Sequence, residues 1–196
     1  MEIALILALS FKLFILMDPI GNVPFYISFL KKVPKERHRH IIIRELFIAL
    51  FIMLLFNFIG RPLLTFLDIS DNTVQIAGGI ILFILSIQMI FPPEKSSITL
   101  SKDKEPFIVP LAIPLVAGPA VLAAIMIFIQ QAQNIFLMTI SIVIAWLVSL
   151  VILLLSPMIR DLLKEKGIVA LERLMGLILT LIAVEMFMNG LPVNVQ

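Results

Sequence analysis

The sequence predicts an all-α integral membrane protein with six transmembrane helices, built as two inverted three-helix repeats in which helices 1 and 4 are interrupted. Of its 196 residues, 61% are hydrophobic and only 14% are charged, whereas soluble domains average about 45–50% apolar and about 25% charged residues. Six windows are long and apolar enough to cross a bilayer, and two of them contain matching proline–glycine breaks. This pattern excludes a cytosolic enzyme, a nucleic-acid binder and a disordered regulator.

The predicted spans are windows with few charged residues. A helix needs roughly 20 residues to cross about 30 Å of hydrocarbon, and most of the windows are about this long. They lie at residues 3–30, 46–60, 73–91, 106–129, 135–156 and 174–193. The second window is short, and we expect it to extend into residues 41–43. The first contains Lys12 and Asp18, and the sixth contains Glu185.

The basic residues orient the chain. Thirteen of the fifteen lysine and arginine residues lie in or beside the connections 31–40, 92–105 and 157–173. Loops on the cytoplasmic side carry such an excess. We therefore expect these three connections to be cytoplasmic loops and both termini to lie outside.

An internal repeat appears when the chain is shifted on itself by 95 to 97 residues. The spacing P-x4-P then matches Pro19 and Pro24 with Pro114 and Pro119. The same shift matches three further pairs, which are Pro62 with Pro157, each expected to end a span, Gly79 with Gly176, and Gln88 with Glu185. The two glycines are expected to permit close helix packing. Three spans per half is an odd number, so the halves insert in opposite directions. We expect one membrane domain over residues 1–196, with repeat one at 1–95 and repeat two at 96–196.

The breaks at 18–24 and 114–119 form the predicted substrate site. Proline removes a helical hydrogen bond, and the freed backbone groups must be buried in protein or line a watery cavity. Interrupted helices at matching positions of inverted repeats mark the binding site of transporters. The predicted substrate-binding residues are Asp18, Pro19, Gly21, Asn22, Ala117, Gly118, Pro119 and Gln88.

Charged residues inside the spans are the candidates for ion coupling, because an ionisable group in the membrane is functional by default. Asp18 is expected to bind a substrate ammonium, a cation or a proton, or else to cap the half-helix after the break. Glu185 either carries the coupling ion or forms a structural pair with Lys12. The candidate coupling ions are H⁺ and Na⁺, and we expect no other cofactor.

The sequence shows no enzyme or metal signature. It has no cysteine, no Ser/His/Asp set and no HExxH motif, and no pair of His or acidic residues has metal-site spacing. We therefore do not expect an enzyme.

Four segments resemble the MarC/SnatA family of bacterial and archaeal inner-membrane proteins, and together they cover essentially the whole chain. They are MDPIGNVPFYISFL, VQIAGGIILFILSIQMIFP, FIVPLAIPLVAGPAVLAA and LERLMGLILTLIAVEMFMNG. The resemblance implies six helices, an inner-membrane location and, for the transport-active members, movement of small neutral amino acids. This chain departs from the family pattern at Gln75, often arginine, at Ala120, commonly glycine, and at Glu185, usually glutamine.

The family motifs fall here on a set of residues in the breaks and the later spans. They are Asp18, Pro19, Gly21, Asn22, Pro24, Ala77, Gly78, Gly79, Pro114, Gly118, Pro119, Arg173, Gly176, Asn189 and Gly190. The combined prediction is a secondary transporter of small neutral amino acids with alternating access, whose partners are the lipid bilayer and a small-molecule substrate. The alternatives are a passive channel and a non-transporting membrane scaffold.

Overall fold

The protein is helical throughout the part of the chain that the computed structural model describes, residues 2–30, 33–91, 116–132 and 134–191. The helices in these ranges are α1 (Glu2–Met17), α2 (Val23–Leu30), α3 (Lys35–Phe66), α4 (Asp71–Ile90), α5 (Pro119–Ala132), α6 (Ile135–Leu154) and α7 (Ser156–Gly190). The same ranges contain no strand. The predicted all-α class is therefore confirmed.

Within the described ranges, four apolar segments are long enough to cross a membrane. They are Glu36–Phe66 in α3, Asp71–Ile90, Ile135–Leu154 and Lys166–Gly190 in α7. Only 28% to 39% of each apolar stretch is buried inside the molecule, so most of each helix surface faces outward. An apolar outer surface of this kind suits lipid, and the integral membrane class is confirmed.

The first and fourth predicted spans differ from these long helices. The first divides into α1 and α2 at residues 18–22, where the sequence predicts a break. For the fourth, α5 begins at Pro119, and Pro114 lies outside the described residues. The six-helix inverted repeat therefore stays a prediction.

Two predicted helix boundaries are wrong. The segment 157–173 is helical and not an open loop, although the chain kinks within it at Lys164, where φ is 54° and ψ is 178°, so that α7 consists of two helical parts. Pro62 does not end the second span, because α3 continues to Phe66. Charged residues such as lysine, arginine and glutamate favour helix, so a helix can extend beyond the apolar window, and a proline can kink a helix instead of ending it.

The helices α4 and α7 form a close antiparallel pair. A Cβ on Gly79 would lie 2.8 Å from the carbonyl oxygen of Ala183 and 2.9 Å from the backbone nitrogen of Phe187. Further along the pair, Thr180 donates its hydroxyl to Ser86 at 2.9 Å. Small residues let helix backbones touch in this way, and the packing role predicted for Gly79 is confirmed.

The helix α6 packs against α1 and α3 and keeps its polar atoms satisfied. Trp146 donates its indole N–H to the carbonyl oxygen of Leu46 in α3 at 2.7 Å. Ser141 and Ser149 donate to carbonyl oxygens one turn back in α6, at 2.9 and 2.8 Å. In an apolar environment such bonds remove the cost of a buried hydroxyl. Among these bonds, the one from Trp146 joins α6 to α3.

Candidate functional site

The break between α1 and α2 is a buried turn held together by its own polar side chains. Asp18 has a φ of 42°, and its Oδ1 accepts a hydrogen bond from the backbone N–H of Gly21 at 3.0 Å. Asn22 donates from Nδ2 to the carbonyl oxygen of Met17 at 3.0 Å. The two side chains thus replace backbone hydrogen bonds that are lost where α1 ends. Both are therefore structural caps of the turn.

Capping uses only half of the Asp18 carboxylate. Its second oxygen, Oδ2, is buried and has no hydrogen-bond partner among the described residues. A Cβ on Gly21 would collide with the Asp18 side chain and would lie 2.5 Å from Cε of Met89 in α4. The break is therefore bordered by Met89 of α4, and α7 packs against α2. Oδ2 is the oxygen of Asp18 that the cap leaves unused.

The second break is described only from Val116 onward. Ala117 and Gly118 are buried, and the carbonyl oxygen of Gly118 accepts the first hydrogen bond of α5 from Leu122 at 3.1 Å. Pro119 occupies the first helical position, where its missing N–H costs nothing. The approach of the two breaks to a shared hollow stays a prediction, because the first half of the fourth span lies outside the described part of the chain.

Gln88 has no described contact with the first break. Its side chain is exposed, whereas the neighbouring Met89 is buried and packs against Gly21. The residue that α4 contributes to the wall of the break is therefore Met89. A substrate contact from Gln88 stays a prediction.

A groove of about 720 Å³ lies between α1, α4, α5 and α7. Its polar lining consists of Lys12, Gln75, Glu185 and Asn189. The ammonium group of Lys12 lies 5.4 Å from the centre of the Phe128 ring. Asn189 donates from Nδ2 to Oε1 of Glu185 at 3.1 Å, and Oε1 of Gln75 is buried without a partner among the described residues.

The structural ion pair considered for Lys12 and Glu185 is not formed, although both residues are described and line the same groove. Lys12 is held over the aromatic face of Phe128, where the ring quadrupole attracts a cation. Glu185 bonds to Asn189, one turn further along α7. Local contacts therefore hold the two charges apart.

One protein family matches nearly the whole chain. The model of the MarC family, described as integral membrane proteins, matches residues 3–194. The chain belongs to the MarC family.

The relatives of this MarC-family protein are membrane proteins of similar length. The UPF0056 inner membrane protein YhgN of Escherichia coli K12 is 48% identical over 188 residues, which is 95% of each chain. A UPF0056 membrane protein of Buchnera aphidicola from Baizongia pistaciae is 48% identical over 190 residues, 95% of this chain and 96% of that one. No solved structure is significantly similar.

One buried acidic group of this MarC-family protein is missed by the sequence analysis. Glu45 in α3 is fully buried, and its Oε1 accepts from Nη2 and Nε of Arg44 at 2.8 and 3.1 Å. Its Oε2 and the hydroxyl of Tyr26 are buried without partners in the described structure. The sequence signal for Glu45 is a charge directly before the apolar run 46–60. The predicted span starts at residue 46, one residue after Glu45, and therefore excludes it.

Proposed function

We propose that this MarC-family protein is a secondary transporter of small neutral amino acids that works by alternating access. The observation that supports the proposal is the buried break at residues 18–22, with the unused Oδ2 of Asp18. Non-helical backbone at membrane depth is tolerated where it lines a site, and transporters use such broken helices to bind substrate and coupling ion. The free oxygen would bind the substrate ammonium or a coupling H⁺ or Na⁺.

The small residues of both breaks favour a small substrate. Gly21 has no room for a side chain between Asp18 and Met89. At the second break Ala117 and Ala120 are buried. An alanine- or glycine-like substrate fits walls of this kind, whereas a bulky side chain would require the turn to move.

The proposed orientation places both termini outside the cytoplasmic (inner) membrane. The relative YhgN is described as an inner membrane protein, and the basic segments favour the cytoplasmic side for the connections 92–105 and 157–173. The structure supports this, because a Cβ on Gly176 would lie 3.0 Å from Ile90, the last residue of α4. The end of α4, after which the connection 92–105 begins, and the part of α7 that follows 157–173 therefore lie together.

Counterflow in proteoliposomes tests the proposal. Vesicles containing the purified protein are loaded with unlabelled alanine, and uptake of labelled alanine and glycine is followed with and without a proton or sodium gradient. We expect saturable counterflow. Asp18→Asn should lower it by at least about tenfold, a loss of about 1.4 kcal/mol, because the amide keeps the bond to Gly21 but loses the charge.

The matched control is Asp68→Asn. Asp68 also has a positive φ, 53°, but it is exposed and lies outside the break, so counterflow should be retained. The absence of transport across a panel of neutral amino acids would contradict the proposal and favour a scaffold. Flux that neither saturates nor shows counterflow would favour a channel.

A further inference from the structure

We propose that the groove between α1, α4, α5 and α7 binds an α-amino acid with a large apolar side chain, its carboxylate at Lys12 and its ammonium at Glu185. The inference rests on the proposed amino acid transport. It goes beyond that function by adding a second binding site and a larger class of substrate. The groove residues that carry it all lie in the described part of the chain.

The first support is a pair of opposite charges that face one cavity without neutralising each other. Lys12 lies over the Phe128 ring, and a ring offers no oxygen to accept its N–H groups. Glu185 receives a single hydrogen bond among the described groups, the one from Asn189. Unpaired charges in a membrane protein are costly. A zwitterion supplies both missing counter-charges at once.

The second support is the amide of Gln75 in α4. Its Oε1 is buried, has no hydrogen-bond partner in the described structure and belongs to a residue of the groove lining. An ammonium group carries three N–H donors, and one carboxylate does not use them all. Glu185 and Gln75 together provide acceptors from two helices for the ammonium of an amino acid.

The third support is the size and character of the remaining lining. The groove volume of about 720 Å³ falls within the range of about 300–1,000 Å³ that is usual for small-molecule sites, and it far exceeds what alanine needs. Apolar side chains surround the charged groups, among them Phe11, Ile127, Leu181 and Met186. A side chain such as that of leucine, methionine or phenylalanine would bury its apolar surface against them.

The groove and the break are separate places on the same helices. Lys12 precedes Asp18 by six residues, about 9 Å along α1. Gln75 precedes Met89 by fourteen residues, about 21 Å along α4. In the proposed orientation the groove lies toward the outer end of the α4–α7 pair. It would thus hold an amino acid on the outer side of the break.

Equilibrium binding of labelled leucine tests the proposal. The full-length protein is reconstituted in phosphatidylglycerol nanodiscs, and binding is competed with alanine, with leucinol, which lacks the carboxylate, and with 4-methylpentanoate, which lacks the amine. We expect saturable leucine binding, against which alanine and both analogues compete at least about tenfold more weakly. A second set of nanodiscs contains phosphatidylethanolamine, whose headgroup also carries an anion and an ammonium. This set tests whether the groove binds a lipid headgroup instead of an amino acid.

Two substitutions assign each charge to its partner. Lys12→Gln should weaken leucine binding at least about tenfold and abolish the preference for leucine over leucinol. Glu185→Gln should weaken it similarly and abolish the preference over 4-methylpentanoate, while its amide still accepts from Asn189. The exposed acidic residues Glu2 and Asp68, changed to Gln and Asn, are the controls and should leave binding as it is.

The proposal would be overturned if neither groove substitution changed leucine binding. It would also be overturned if leucine binding were lost in nanodiscs that contain phosphatidylethanolamine. The absence of any saturable leucine binding would overturn it as well. A failure of the proposed transport function would show differently, as absent alanine counterflow in the unaltered protein. Leucine binding with the expected analogue pattern would stand even then.

Discussion

The break at residues 18–22 and the groove beside Lys12 use polar side chains in opposite ways. In the break, Asp18 and Asn22 are buried and bond to nearby backbone within the same turn. In the groove, Lys12 and Glu185 are exposed, and each is held by a neighbour that leaves its charge uncompensated. The same two regions are joined by the α4–α7 pair, which borders both of them.

This difference distinguishes polar groups that the fold itself needs from charged groups that are available to a ligand. The polar groups of the break have a structural role whether or not a ligand binds, because buried backbone N–H and C=O groups must be satisfied. In the groove, Lys12 lies over the Phe128 ring and Glu185 bonds within α7, so we expect these charges to contribute less to stability than the cap does. Substitutions should therefore disturb stability most at the α4–α7 interface, less at the break and least at the groove.

The largest effect is expected for Gly79→Ala at the interface between the two regions. The added methyl group would meet the carbonyl oxygen of Ala183 at 2.8 Å, and backbone atoms cannot move aside as a side chain can. We expect the free energy of unfolding to fall by about 3 kcal/mol, the upper end for overpacking. The intrinsic fluorescence of Trp146, the single tryptophan, followed during thermal unfolding in detergent, measures the loss.

Gly60→Ala is the matched control for Gly79→Ala. The atoms nearest to its Cβ would be side-chain atoms of Met126, the closest at 2.7 Å, and methionine is flexible enough to adapt. The higher helix propensity of alanine over glycine, about 1 kcal/mol, offsets part of the cost. A loss as large as that of Gly79→Ala would show that contact with the α7 backbone is not the cause.

A smaller effect is expected when the Asp18 cap is removed. Asp18→Ala leaves the buried N–H of Gly21 without its acceptor, which costs about 2 kcal/mol. Asp18→Asn keeps an acceptor oxygen and also tolerates the positive φ of 42°, so its unfolding transition should not fall below that of the unaltered protein. Equal destabilisation by both substitutions would mean that the charge, and not the cap, holds the turn.

The sequence predicts the break well because its signals are local. Proline and glycine act through the backbone of their own turn, so Pro19 and Gly21 indicate where α1 ends without knowledge of its neighbours. The close packing at Gly79 can also be predicted from local sequence, since a glycine in an apolar helical span commonly marks a contact between helices. Composition alone is enough for the all-helical membrane class.

The rest depends on tertiary neighbours that periodicity does not reveal. Opposite charges alone suggest that Lys12 pairs with Glu185. In the structure Lys12 instead lies over the Phe128 ring, and Glu185 bonds to Asn189. The helix through 157–173 is missed because a charged segment looks like a loop when only hydropathy is read. Glu45 is missed because its charge lies just outside the apolar run 46–60, and its complete burial depends on packing around α3 that the sequence does not show.

The smallest effect is expected for Lys12→Gln and Glu185→Gln measured as stability. Both side chains are exposed, no bond joins them across the groove, and glutamine at 185 still accepts from Asn189. Surface substitutions away from caps, cavities and buried networks usually stay within about 0.5 kcal/mol, and thermal unfolding followed by Trp146 fluorescence should show no larger change. A loss approaching that of Asp18→Ala would mean that the groove charges hold the helices together, and the contrast between the two regions would fail. Unaltered stability combined with weakened leucine binding would instead place the role of these charges in ligand recognition.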